Sequence, residues 1–325
     1  MLWGHCIQYC CGGQFDFFGD QVFKVIYSFH MPLLMLISGY LFSFSEQKRN
    51  MTELIGHKVK TLLYPVLTYT VLNLVLTKGV IAVITGTPGL LLETPPLTEL
   101  WFLWSVLACS IVLTVAVKAT GRPVLRIMLV LTGFFVVALF PCNTMNVYMY
   151  PYFVLGYYYA RYEDRLTGIR KPVGILSIII LVLLLTLYEK KHFIYTTGLF
   201  NGSLRESLSI DIFRWAVGLF GSVAVIFVVG SLFSKMPDGK LSACFERLGR
   251  DSLAVYYLSF IFLSFWLPLI TDKMLSIFPG FNWNGYILFY DLIFTPAIAM
   301  LYSAMFLLMI RLFRRTGIYK LIFGR

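Results

Sequence analysis

The sequence predicts an all-α bundle of transmembrane helices, about ten of them with the first one truncated, and three observations carry that expectation. Hydrophobic residues make up 58% of the 325 and charged residues only 13%, with a mean hydropathy of +0.78, a composition foreign to soluble globular domains. Apolar runs recur that are long enough to cross roughly 30 Å of hydrocarbon. Basic residues gather in alternate connections between those runs, as they do when helices thread back and forth through a bilayer. Residues 1–325 therefore read as a single transmembrane domain, with no length to spare for a separate soluble one.

After an N-terminal stub, spans are expected over 22–44, 59–85, 99–118, 124–141, 147–161, 172–188, 209–233, 247–270 and 286–311. Lys48, Arg49, Lys58 and Lys60 fill the first connection, Lys78 stands alone in the next, and Lys118, Arg122 and Arg126 fill the one after. The alternation continues through Arg161, Arg165, Arg170 and Lys171, through Lys235, Lys240, Arg247 and Arg250, and through Arg311, Arg314, Arg315, Lys320 and Arg325. The positive-inside bias places these groups, and the C-terminus, in the cytoplasm. Lys190, Lys191 and Arg205 blur the pattern on the outer side. The net charge of +11 is thus orientation information and membrane-lipid affinity, with no nucleic acid implied.

Met1 to Gly12 would extend only about 18 Å as a helix, so the first span is expected to be truncated: either the true start lies upstream or the span lacks its inner half. No signal-peptide pattern accounts for the stub. With that helix ending near Gly12 and the next beginning near Val22, His5 and His30 each fall seven or eight residues from the outer face, about 10 to 12 Å deep. Two imidazoles at matched depth on consecutive helices can line one cavity opening outward. An ionisable group inside lipid is expensive and usually functional, and an imidazole with pKa near ~6.5 suits general base chemistry on a hydroxyl. The competing reading is that each ring hydrogen-bonds a neighbouring helix and holds the bundle together.

Other classes find little support. Cys6, Cys10, Cys11, Cys109, Cys142 and Cys244 show no CxxC spacing, so neither a metal site nor a disulfide framework is expected. No Walker A or dinucleotide fingerprint is present and no bound cofactor is expected. A glycan flippase or secondary transporter remains open, with His5, His30, Asp211 and Arg214 along a solute path; the lack of an internal repeat weighs mildly against it.

Several motifs, in order, resemble the membrane-bound acyltransferase family 3, and in particular its branch related to fucose 4-O-acetylase. They are Trp3-Gly4-His5; Phe29-His30-Met31-Pro32 through Ser38-Gly39-Tyr40; Leu62-Leu63-Tyr64-Pro65; Leu100-Trp101-Phe102-Leu103; Tyr150-Pro151-Tyr152-Phe153-Val154-Leu155-Gly156-Tyr157; and Leu248-Gly249-Arg250-Asp251-Ser252 through Leu258. The resemblance implies an O-acyltransferase of the bacterial inner membrane. Cytoplasmic acetyl-CoA, or a succinyl donor, would acylate a sugar hydroxyl of a cell-surface or exported polysaccharide, with His5 as the base. His30 is then a candidate for orienting His5 or for donating to the developing oxyanion. Lys58 and Lys60 correspond to a basic pair suited to the phosphates of coenzyme A, against the plainer reading of topology determinants. Asp211 and Arg214, at i, i+3 spacing, and Trp101 are candidates for holding the acceptor sugar; a structural ion pair and an interfacial ring are the plainer alternatives. Two departures stand out: the family's arginine one helix length before its histidine has no counterpart here, and Ser259 stands where the family often has histidine, so no catalytic role carries over to it. A catalytically inactive member is the third expectation.

Overall fold

A computed structural model describes residues 1–80, 83, 86, 97–234, 239–278 and 280–324, with backbone alone at 76–78, 204, 240, 241 and 265. Lys235 and Arg325 of the charge pattern, and part of the 59–85 span, lie outside the described residues. All regular structure among the described residues is helical. The principal helices are α1 (Leu2–Cys10), α2 (Gln21–Gln47), α3 (Met51–Asn73), α4 (Trp101–Lys118), α5 (Pro123–Val136), α6 (Asn143–Leu166), α7 (Arg170–Thr186), α8 (Leu204–Phe233), α9 (Lys240–Arg250), α10 (Ser252–Ile261), α11 (Leu267–Ile277), α12 (Thr295–Thr316) and α13 (Ile318–Phe323).

Six helical stretches are long and apolar enough to cross a membrane: Gln21–Gln47, Trp101–Lys118, Asn143–Thr186, Arg205–Phe233, Ser252–Ile277 and Trp283–Thr316. Between the predicted spans and these helices the differences have local causes. α3 begins well before the predicted 59, because Asn50 caps it: its Oδ1 accepts the Glu53 N–H at 2.9 Å. The predicted 247–270 span is divided at Asp251, whose φ of −96° and ψ of 11° leave the helical region, so that the polar α9 meets the apolar α10 at a break. α7 leaves Ile179 and Leu183 53% and 61% exposed, an apolar stripe suited to lipid.

The chain forms two compact units that alternate in sequence. One holds Lys24–Leu63 and Trp101–Met236, the other Met1–Phe23, Tyr64–Leu100 and Pro237–Arg325.

In the first unit, α2 and α6 cross at two glycines. A Cβ on Gly39 would strike the Phe153 carbonyl, and one on Gly156 the Leu36 carbonyl. Small residues let membrane helices approach to backbone contact, and here they sit inside two of the quoted motifs. The Phe29–Pro32 face of α2 packs on α8 in the same manner, Phe29 filling the space beside Gly221 and Pro32 that beside Gly218. Buried tyrosines spend their hydroxyls on neighbouring backbones: Tyr150 donates to Val130 O at 2.9 Å and Tyr152 to Trp215 O at 3.2 Å. Much of the signature is therefore packing that fixes α2.

In the second unit, α1 lies along α12. Trp3 Nε1 donates to Thr295 Oγ1 at 3.1 Å, Thr295 Oγ1 donates to Tyr290 O at 3.0 Å, and Tyr290 Oη donates to Ile7 O at 2.7 Å. Asp251, the acid of the Arg250-Asp251-Ser252 motif, is buried and paired with Arg314 of α12.

Candidate active site

His5 lies in the middle of α1, and the ties at Trp3 and Ile7 bracket it, so the ring's height and bearing are set by α12 and the turn before it. The imidazole is half-buried. It stacks on Tyr9, one turn on, at 5.8 Å between centroids, and meets the Phe260 ring edge-on at 6.1 Å. Its Nδ1 is 3.4 Å from Gln8 Oε1. An oxygen facing Nδ1 favours the tautomer with the proton on Nδ1, in which Nε2 is the accepting nitrogen.

Phe260 also packs edge-on against Tyr69, at 6.4 Å. Tyr69 donates its hydroxyl to Glu99, and Asn73 Nδ2 reaches Glu99 Oε2 at 3.0 Å and Tyr69 Oη at 2.9 Å. Sequence reasoning missed this carboxylate. An acid directly before Leu100-Trp101-Phe102 at a span's outer start is the signal that would have found it.

In the other unit His30 is 7% exposed. Its Nδ1 is 3.0 Å from the Ile26 carbonyl, an oxygen that only accepts, so this ring too is protonated at Nδ1 and keeps Nε2 basic. A line of rings extends from it. Tyr27 meets His30 at 4.6 Å, Tyr195 meets Tyr27 at 6.4 Å, and Trp101 meets Tyr195 at 6.2 Å. Trp101 and His30 thus join one aromatic wall, with Tyr195 supplied by the 188–200 connection.

Asp211 and Arg214 are each 1% exposed and paired at 2.8 Å. Arg214 sends Nε to His192 O at 3.0 Å and its other donors to Lys191 O, Gly198 O and Thr197 Oγ1. Asp211 Oδ2 accepts the Phe200 N–H at 2.9 Å. The pair's partners are backbone and side-chain groups of the 188–200 connection, and it holds Tyr195 in place through them. His192 belongs to the same knot: its Nδ1 accepts the Glu189 N–H at 2.8 Å, which requires a neutral ring. Burial, aided by Lys191, holds its pKa down at about 4 against an ordinary 6.5. A ring whose pKa is lowered by folding stabilises the fold fully above pH 6.5 and loses that contribution as pH falls toward 4. The thermal midpoint of the detergent-solubilised protein is therefore expected to fall more steeply between pH 6.5 and 4 than that of His192→Gln; parallel curves would show that the ring is not the titrating group.

At the far end of α2, about 24 Å along the helix from His30, Glu46 is buried between Lys118 Nζ at 3.1 Å and Arg161 at 2.5 Å. The Arg161 guanidinium lies over Tyr157, which packs on Phe42, and Lys58 Nζ sits 5.4 Å from the Phe42 ring. Lys58 thus joins Lys118 and Arg161 at one end of the unit. Lys60, about 200° further round the helix, is exposed on another face. Among the described residues no group of three or more His, Cys, Asp or Glu is arranged to hold a metal ion.

An all-helical bundle with apolar membrane-length spans defines an integral membrane protein, and its first helix carries an imidazole whose Nδ1 faces Gln8 Oε1. Over residues 1–313 the chain matches the acyltransferase domain family Acyl_transf_3, and it belongs to that family. It is 31% identical over 166 residues to nodulation protein NolL of Mesorhizobium japonicum, covering 49% of this chain and 43% of that protein. It is 34% identical over 165 residues to nodulation protein NolL of Sinorhizobium fredii, covering 49% and 44%. The matched part thus spans less than half the length of these curated relatives. No solved structure matches the chain.

Proposed function

We propose that this chain is a membrane O-acyltransferase that moves an acetyl group from acetyl-CoA to a hydroxyl of a cell-surface or exported polysaccharide. The observation that carries the reading is the His5 imidazole with Nδ1 facing Gln8 Oε1, in a protein of the acyltransferase family. His5 Nε2 takes the proton of the sugar hydroxyl as that oxygen attacks the thioester carbonyl. The C–S bond then breaks, and the imidazolium returns the proton to the departing thiolate, releasing free coenzyme A. His30, with the same tautomer, takes the supporting role in its own unit.

Lys58, with Lys118 and Arg161 beside it, is the better-placed candidate for the coenzyme A phosphates, and Lys60 serves as a headgroup contact on the helix exterior. Trp101 meets the acceptor sugar together with Tyr195, which Asp211 and Arg214 hold in position. The basic connections orient the chain in the inner membrane with its C-terminus in the cytoplasm.

Purified protein in nanodiscs, given radiolabelled acetyl-CoA and envelope polysaccharide extracted from the host strain, is expected to release coenzyme A thiol and place label on the polysaccharide. Thiol release that does not depend on polysaccharide, with no label transferred, would overturn the reading.

A further inference from the structure

A recess lies wholly within the unit that carries His5, formed by segments more than 250 residues apart. The connection after α1 turns at Phe17–Gly19, and Asp20 then caps α2, its Oδ1 accepting the Phe23 N–H at 2.7 Å. Before α12 the chain widens into a π turn over Tyr290–Phe294, a form that recurs at functional sites. The two segments form a cavity of about 340 Å³ whose lining includes Phe15, Asp20, Gln21, Asn284, Ile287 and Asp291, with Asp16, whose carboxylate accepts the Phe18 N–H, at its edge.

Asp20 and Asp291 are 7% and 6% exposed, and Asp291 Oδ1 is buried with no hydrogen-bond partner. The Asp20 and Asp291 carboxyls are within hydrogen-bond reach of each other; the Asp291 Oδ1 is the oxygen left without a donor, a costly state that points to a ligand supplying one. A multivalent cation fits poorly. Calcium takes about six to eight oxygens, and the described residues hold no group of three metal-binding side chains. An anionic headgroup would be repelled. Hydroxyl groups satisfy both carboxylates as donors, Gln21 and Asn284 add amide dipoles, and Phe15 and Ile287 offer apolar wall to ring C–H bonds. The volume falls at the small end of ligand pockets, the scale of a single sugar ring. Tyr290, the neighbour of Asp291, is the residue that bonds Ile7 O, so the recess and His5 are carried on one hydrogen-bonded frame.

We propose that Asp20 and Asp291 form a hydroxyl-binding subsite that takes one pyranose ring of the acceptor glycan. The assignment rests on the glycan O-acyltransferase reading, and extends it to residues that reading does not use.

The test is saturation-transfer NMR on the protein in nanodiscs, with methyl α-L-fucopyranoside, methyl β-D-galactopyranoside and methyl β-D-glucopyranoside as probes. At least one glycoside is expected to bind, and Asp291→Asn and Asp20→Asn are each expected to weaken it by about tenfold. Asparagine keeps an oxygen to cap α2, so Asp20→Asn preserves the helix start. In the wild-type protein the same glycoside is expected to protect Asp291 from carbodiimide coupling, a readout independent of variant folding. No binding by any of the three, undiminished binding in both variants, an unprotected Asp291, or radioactive calcium uptake that both variants abolish would overturn the subsite. Acetyl label reaching polysaccharide equally in wild type and variants would overturn the subsite and leave the acyltransferase reading intact. Label reaching none in the wild type, with glycoside binding still lost in the variants, would overturn that reading and support the pyranose subsite.

Discussion

Replacing His5 with alanine is expected to lower acetyl transfer by roughly 10²- to 10⁴-fold, the usual contribution of a positioned general base. The helix is held by Trp3 and by the Ile7 carbonyl on either side of the ring, and these ties do not pass through the imidazole. Expression level and thermal midpoint should therefore stay near wild type while labelled product disappears. Gln8→Ala provides the companion measurement. If Gln8 fixes the tautomer, turnover falls several-fold with little change in the KM for acetyl-CoA. Full transfer activity in His5→Ala would remove the proposed chemistry from this residue. Equal losses of activity and of folded protein would return it to a packing role.

Gly156→Ala is expected to be among the most destabilising single-methyl additions available in the chain. The new Cβ would sit on the Leu36 carbonyl, a backbone obstacle that no rotamer change can move, and Gly39→Ala would do the same to Phe153. Overpacking of this kind costs about 1–3 kcal/mol, with backbone collisions at the upper end. The two substitutions act on one crossing, so the double variant should lose less than the sum of the singles. Gly56→Ala is the control, because nothing lies within 4 Å of its Cβ position in the helical α3. It should be neutral or stabilising by up to about 1 kcal/mol. The check is the thermal midpoint of each variant in one detergent; a Gly156→Ala midpoint equal to that of Gly56→Ala would mean the helices separate at no cost.

These glycines bear on what the motifs mean. Ser38-Gly39-Tyr40 and the Gly156 segment are recognisable in sequence because helices must touch there, and Phe29 and Pro32 because Gly221 and Gly218 admit them. His30 in that signature bonds the Ile26 carbonyl through Nδ1. Asp211 and Arg214 teach a related lesson. Their i, i+3 spacing is visible in the sequence, but their partners, five acceptors and the Phe200 N–H of the 188–200 connection, come from a segment with no pattern of its own.

What the sequence determined by itself is the class of molecule, the positions of its apolar helices, the family motifs and the two histidines. Hydropathy and helical spacing are local properties, readable within a window of about twenty residues. Tertiary structure alone decided that Lys58 lies over the Phe42 ring and that Glu99 joins Tyr69 and Asn73. It also brought Asp20 and Asp291 to one cavity. A carboxylate's partner depends on contacts across hundreds of residues, and a lone Asp at a helix end reads the same whether it caps, pairs or waits for a ligand.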